Sequence, residues 1–239
     1  MTTQEQWLAA HSYLRPVAEF AAQIERAAME IEVFEARLPD WASYRADYLA
    51  GVALLSSPDA AIDLEPGERM ASALLQRLAI VRDGATSRPG FVRYSGWMAM
   101  RRSLRPVLQA FDAWRNEEQW MRRHCPACGS PPAMAQLVGA DPGRKRLLSC
   151  GCCGCRWQFK RTACPFCDSD SQRLTSVAIE GEPALRLDYC ESCRGYLKTY
   201  DGEGDERLLL ADWSSLHLDM LAHDRGLKRR ADSLYEPAF

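Results

Sequence analysis

Eight cysteines stand as four pairs with two residues between the members: Cys125-Pro-Ala-Cys128, Cys150-Gly-Cys-Cys153, Cys164-Pro-Phe-Cys167 and Cys190-Glu-Ser-Cys193. Two intervening residues let the backbone turn so that both sulfurs face one point, and amides of the same turn aim at those sulfurs. Four thiolates around one ion form a closed tetrahedral site that suits zinc and iron alike. Twenty-one residues separate the first pair from the second, and twenty-two separate the third from the fourth. The pattern is one unit written twice: knuckle, hairpin-length insert, knuckle. A lone CxxC reads equally well as a redox dithiol, whereas two pairs at this spacing, repeated, point to two bound ions. The expected ligands are Cys125, Cys128, Cys150 and Cys153 for one ion, and Cys164, Cys167, Cys190 and Cys193 for the other.

Cys152 and Cys155 are left over and make a further CxxC by their ends. They either replace Cys150 and Cys153 as ligands or form a reactive thiol pair; the spacing, and Gly154 just beyond Cys153, favour Cys150 and Cys153. Gly129 and Gly154 follow the second cysteine of their pairs, where such a turn needs a left-handed residue. Asp168 accepts that conformation at modest cost, and Arg194 fits it less well. His124 adjoins Cys125, but four cysteines fill the shell, so it is expected to be exposed. His11, His217 and His223 have no partner at a ligand spacing and are expected to be unremarkable. The chain shows no Ser/His/Asp set, phosphate loop or glycine-rich dinucleotide turn, so it is read as a non-enzyme.

The elements that must hold these pairs fall in two halves. Residues 1–124 lack cysteine and read as helices; residues 125–193 contain all ten. Pro16 opens a helix carrying Val17, Phe20, Ile24, Ile31, Phe34 and Leu38, stopped at Pro39. Asp40 caps the next, with Trp41, Tyr44, Tyr48, Val52 and Leu55 on one face. A third helix runs from Pro66 through Met70, Leu74, Leu78 and Val81 to Gly84. Residues 82–96 read as a loop. A fourth helical pattern, Trp97 to Trp114, is kinked or split by Pro106. In the cysteine half, strands are expected at 136–138 and 146–148 about a turn at 139–143, and at 175–179 and 185–189 about a turn at 180–183. Strands at 196–200 and 208–210 follow, then a helix capped by Asp212 through Trp213, Leu216, Met220 and Leu221 to Gly226. The expected domains are 1–124, helical; 125–163, a first metal module; and 164–239, a second metal module with the last helix. The fold class is α+β.

At 239 residues, 47% hydrophobic and 26% charged, the chain can bury a core. Each metal unit alone is too small for that, and a structural ion contributes on the order of 10–16 kcal/mol to such modules. A formal charge of −2 gives no general attraction to nucleic acid or anionic membrane. Arg144, Lys145, Arg146, Arg156, Lys160 and Arg161 are expected to balance thiolate charge; a nucleic-acid patch is the sharper alternative. Neither a signal peptide nor an 18-residue apolar stretch is visible, so a cytoplasmic location without membrane insertion is expected. In a reducing compartment, metal ligands are expected ahead of disulfides.

The chain resembles the formate dehydrogenase accessory protein (FdhE) family. The resemblance runs through His124-Cys125-Pro-Ala-Cys128-Gly-Ser130, Leu148-Ser-Cys150 with Cys153 and Trp157, and Cys164-Pro-Phe-Cys167. It continues through Cys190-Glu-Ser-Cys193-Arg-Gly-Tyr196-Leu197-Lys198 and through Ala211-Asp212 to Ser215-Leu216-His217-Leu218-Asp219. The Trp157 register aligns Cys150 and Cys153 with the family's second pair. The resemblance implies an N-terminal helical domain, two rubredoxin-like modules, iron ahead of zinc as the metal, and a cytoplasmic maturation role on the catalytic subunit of formate dehydrogenase. Cys152 and Cys155 depart from its pattern. Two other functions stay open at this stage: a rubredoxin-like redox module and a zinc-ribbon nucleic-acid binder. Oligomeric state, a homodimer included, is open too.

Overall fold

The computed structural model describes residues 3–81 and 89–233. Helix α1 (Gln4–Ala10) starts at a capping box in which Thr3 and Gln6 bond each other's backbone amides. Helix α2 (Arg15–Met29) has Pro16 in its first turn and buries Ala18, Ala21, Ile24 and Ala28. It ends at Met29, short of the expected Pro39. Beyond Ile31 the backbone turns outward for its partners: Phe34 donates its amide to Met70 Sδ at 3.4 Å and Ala36 donates to the Ser103 carbonyl at 3.0 Å. Phe34 and Leu38 therefore belong to an irregular strap, and the Arg69 guanidinium lies 4.4 Å above the Phe34 ring.

Helix α3 (Trp41–Ala50) is capped by Asp40 as expected, and stops at left-handed Gly51. Helix α4 (Glu65–Val81) buries Met70, Leu74 and Leu78, while its expected stop at Gly84 lies outside the described residues. Helix α5 (Pro89–Ser103) overturns part of the expected loop: Pro89 opens the helix, where its missing N–H costs nothing, and Gly96 lies within it. Pro106 splits the next pattern, with helix α6 (Arg105–Trp114) following Leu104.

Six strands follow: β1 (Pro132–Val138), β2 (Lys145–Cys150), β3 (Arg156–Phe159), β4 (Leu174–Ile179), β5 (Glu182–Cys190) and β6 (Tyr196–Asp201). They form one sheet in the order β3-β2-β1-β6-β5-β4. Each half is an antiparallel three-stranded unit, so β1-β2-β3 and β4-β5-β6 repeat one topology. The halves join by a parallel pairing of β1 with β6, from Met134 opposite Lys198 to Leu137 opposite Asp201. Residues 208–210, expected as a strand, belong instead to helix α7 (Glu206–Leu209) and the turn after it, where amides 208–211 bond back to carbonyls three or four residues earlier. Helix α8 (Leu216–Asp224) buries Leu218 and Ala222, whereas Met220 is exposed.

Packing crosses the chain order. Tyr44, Tyr48, Phe111 and Trp120 from the helical half close over Leu148 and Trp157 of the first sheet unit. Trp7, Leu8 and Leu14 pack instead on Leu185, Leu187 and Tyr200 of the second unit, with Leu209 and Leu218. Trp7 donates its indole N–H to the Ser214 carbonyl at 3.0 Å. Ile24, Ala28, Leu74 and Leu78 form a smaller helical core.

Candidate metal centres

Each CxxC folds into the same knuckle. The amide after the second cysteine donates to the carbonyl of the first: Gly129 to Cys125, Gly154 to Cys150, Asp168 to Cys164 and Arg194 to Cys190, at 2.8–3.2 Å. The first cysteine's amide then donates to the carbonyl five residues on, in Ser130, Cys155, Ser169 and Gly195. The four hinge residues are all left-handed, with φ of 76°, 80°, 64° and 59°. Arg194, the poorest fit by residue type, adopts this conformation too. Its guanidinium donates to the Arg225 carbonyl and its own carbonyl accepts the Lys228 amide, so the loop after α8 holds it.

The knuckles meet in facing pairs. Ligand-type atoms of Cys125, Cys128, Cys150 and Cys153 all lie within 4.8 Å of one another, and so do those of Cys164, Cys167, Cys190 and Cys193. Cys125 and Cys153 sulfurs are 3.5 Å apart and Cys128 and Cys150 3.4 Å; the second group shows 3.7 Å for both Cys164–Cys193 and Cys167–Cys190. A tetrahedron with metal–sulfur bonds of about 2.3 Å has edges of about 3.8 Å, so both cages fit an ion of that kind. Two clusters of this shape can each take one metal ion. The thiols themselves call for it: burial pushes Cys125 and Cys164 up, while neighbouring cysteines hold Cys128 down. Four sulfurs this close cannot all carry charge until a cation stands between them.

Amide and hydroxyl donors surround the sulfurs. Phe166 and Gly195 amides approach Cys164 and Cys193 Sγ, each at 3.4 Å. Ser130 and Ser169 hydroxyls lie 3.3 and 3.1 Å from Cys128 and Cys167. Burial works against the Cys167 thiolate, yet its bonds with Ser169 outweigh that and bring the thiol down to about 6. The knuckle register also places the spare thiols. Cys155 occupies the position of Ser130 and Ser169, and Cys152 that of Ala127 and Phe166; both stand outside the mutually close group. His124 is half-buried rather than exposed, with Nε2 3.1 Å from the Gly51 carbonyl, because α3 ends against this knuckle.

The basic run is largely consumed internally. Arg144 pairs with Asp201, Arg146 donates to the Lys160 and Ala163 carbonyls, Arg156 to the Gln136 side chain, and Arg161 to Asp141. Asp212, expected to cap the last helix, makes no such bond, because its carboxylate is drawn to a buried cation. Lys198 is fully buried and reaches Asp212 Oδ1 at 2.6 Å and Asp219 Oδ2 at 2.7 Å; Arg229 contacts both carboxylates, and Tyr196 donates to Asp219 at 2.7 Å. Four residues of the resembling motifs thus meet in one network. Each of the four sits in a motif whose spacing marks no contact with the others, so only the tertiary fold brings them together.

No family profile matches the chain. Proteins named FdhE homologue match part of it: 42% identity in Pseudomonas aeruginosa, over 48% of this chain and 40% of that protein, and 35% in Stutzerimonas stutzeri, over 53% and 42%. A third, from Aquifex aeolicus, is 30% identical over 52% of this chain and 46% of its own. Over about half of its length the chain is similar to FdhE homologues. It spans less than half the length of these FdhE homologues in the matched regions. The crystal structure of the FdhE protein from Pseudomonas aeruginosa shares the fold, with a TM-score of 0.58 and 22% identity over 95% of this chain and 90% of that one. The fold is α+β as expected, with FdhE-like helices ahead of two small cysteine modules. Among the described residues, no helix is long and apolar enough to cross a membrane.

Proposed function

We propose that this chain is a cytoplasmic accessory protein in the maturation of formate dehydrogenase. It binds the catalytic subunit through a scaffold stapled by two tetrathiolate ions and performs no chemistry of its own. Cys125, Cys128, Cys150 and Cys153 hold one ion; Cys164, Cys167, Cys190 and Cys193 hold the other. Residues 1–124 then act as a helical domain, with modules at 125–163 and 164–239. The observation that carries the reading is the pair of four-thiol cages on one continuous sheet, in a chain whose relatives are FdhE homologues. The experiment is deletion of the gene followed by assay of formate dehydrogenase. Inactive enzyme with its subunits made supports the reading, and undiminished activity with full assembly rejects it.

A second reading, an iron redox module, is favoured by one feature. Cys167 is exposed, which brings an edge of the second cage to the surface, where electron exchange with a partner takes place. A colourless protein containing zinc alone would end it. Nucleic-acid binding has little left to stand on, since four of the arginines it would need are already paired within the chain.

A further inference from the structure

His11, Glu182 and His217 lie far apart in sequence and meet at one point. His11 Nε2 is 2.9 Å from Glu182 Oε1, and His217 Nε2 is 2.9 Å from Glu182 Oε2. The three ligand-type atoms lie within 4.8 Å of one another. His11 comes from the segment before α2, Glu182 from the start of β5, and His217 from the first turn of α8. The rings of His11 and His217 stack with centroids 5.4 Å apart, Trp7 stacks on the far face of the pair at 4.0 Å from His11, and Tyr13 closes the edge. Side-chain exposures of 11%, 12% and 18% leave a narrow opening to solvent.

The tautomer of His11 follows from its other bond. Nδ1 lies 3.0 Å from the Trp7 carbonyl, which can only accept, so Nδ1 carries the hydrogen and neutral His11 presents a bare lone pair at Nε2. A backbone carbonyl on the second ring nitrogen is how metal-binding histidines are oriented. That lone pair points at a carboxylate oxygen 2.9 Å away, so either a proton on Nε2 or a metal ion must stand between the two. His217 Nδ1 is buried with no hydrogen-bond partner among the described residues, so nothing there fixes the ring's proton on Nε2. We propose that His11, His217 and Glu182 form a third metal site, separate from the thiolate cages, for a divalent ion of the zinc class. Two imidazoles and one carboxylate suit such an ion and leave its fourth position to water or to a donor from a bound molecule. The ion would tie the N-terminal segment to the second module at the point where Trp7 and Leu8 already pack on it.

The test is a count of divalent ions per chain by equilibrium dialysis against Co2+, on purified protein under reducing conditions. Wild type is compared with His11→Gln, His217→Ala and the exposed control His223→Ala. The expected result is one ion fewer in His11→Gln and His217→Ala, no change in the control, and identical sulfur-to-cobalt charge-transfer absorption in all four. Equal counts in wild type and variants overturn the proposal and leave the cluster as an imidazolium–carboxylate pair. The difference between proteins is read, not the total, and the charge-transfer band follows the thiolate cages separately, so failure of those cages would not mimic failure here. If His217→Ala does not fold, His11→Gln alone decides the outcome.

Discussion

The two modules repeat one backbone device inside unlike surroundings. In the first, Cys125, Cys150 and Cys153 are buried, and Tyr44, Tyr48, Trp120 and Trp157 belong to the same core cluster. In the second, Cys167 is exposed and Cys193 half-buried, and a cavity of about 220 Å³ opens beside Cys164, Cys190, Phe166 and Arg186. The first module is braced by aromatic rings, the second by the charge network of Lys198, Asp212, Asp219 and Arg229. The knuckle is a local matter of turn geometry; what the ion experiences is decided by the neighbours that tertiary packing supplies.

That contrast can be broken from either side. The largest effect is expected for Cys125→Ser, which removes one ion and should loosen the helical half with it. A loss on the order of several kcal/mol, with collapse of the near-ultraviolet tryptophan signal, is the expected outcome of denaturant unfolding. Cys164→Ser should also cost one ion but leave the helical core and most of that signal in place. Should the two variants lose the tryptophan signal equally, the modules do not differ as described.

Lys198→Met comes next. It leaves Asp212 and Asp219 facing Arg229 alone and should destabilise by roughly 3–5 kcal/mol without changing metal content. The network also predicts a pH dependence. Burial pushes the Asp212 carboxyl up, but Lys198 and Arg229 outweigh it and hold it well below the usual range. Its contribution is therefore present above the unfolded value of about 3.9 and is lost as pH falls below that, which an acid titration of stability would register in wild type and lose in Asp212→Asn. A smaller, kinetic effect is expected with chelator: the exposed second cage should give up its ion first, read by reaction of Cys167 before the buried thiols. The smallest is Cys155→Ser, which places at the Cys150–Cys153 knuckle the hydroxyl that Ser130 and Ser169 supply at theirs. Metal content should not move; a lost ion would mean that the ligand register is wrong.

Much of the cages was legible because CxxC spacing is local. Two residues between cysteines dictate the turn, and inserts of nearly the same length dictate a repeated hairpin, as β1–β2 and β4–β5 bear out. Helix starts at Pro16 and Asp40 were legible for the same reason, being set within one turn of chain. What escaped reading depends on distant partners. The strap after Met29 leaves its helix because α4 and α5 supply its bonds. Asp212 looks like a cap but answers to a buried lysine fourteen residues earlier. His11 and Glu182 are 171 positions apart, and no periodicity announces such a meeting. The parallel join of β1 to β6 is equally silent, since nothing in either strand names its neighbour.

The central claim is that eight particular sulfurs hold two ions. Cadmium NMR of the protein loaded with that ion tests it most directly, because four-sulfur coordination has its own chemical-shift region. The account predicts two resonances there per chain, one of which vanishes in Cys125→Ser and the other in Cys164→Ser. A spectrum with none in that region, beside cysteines recovered as disulfides, would contradict it.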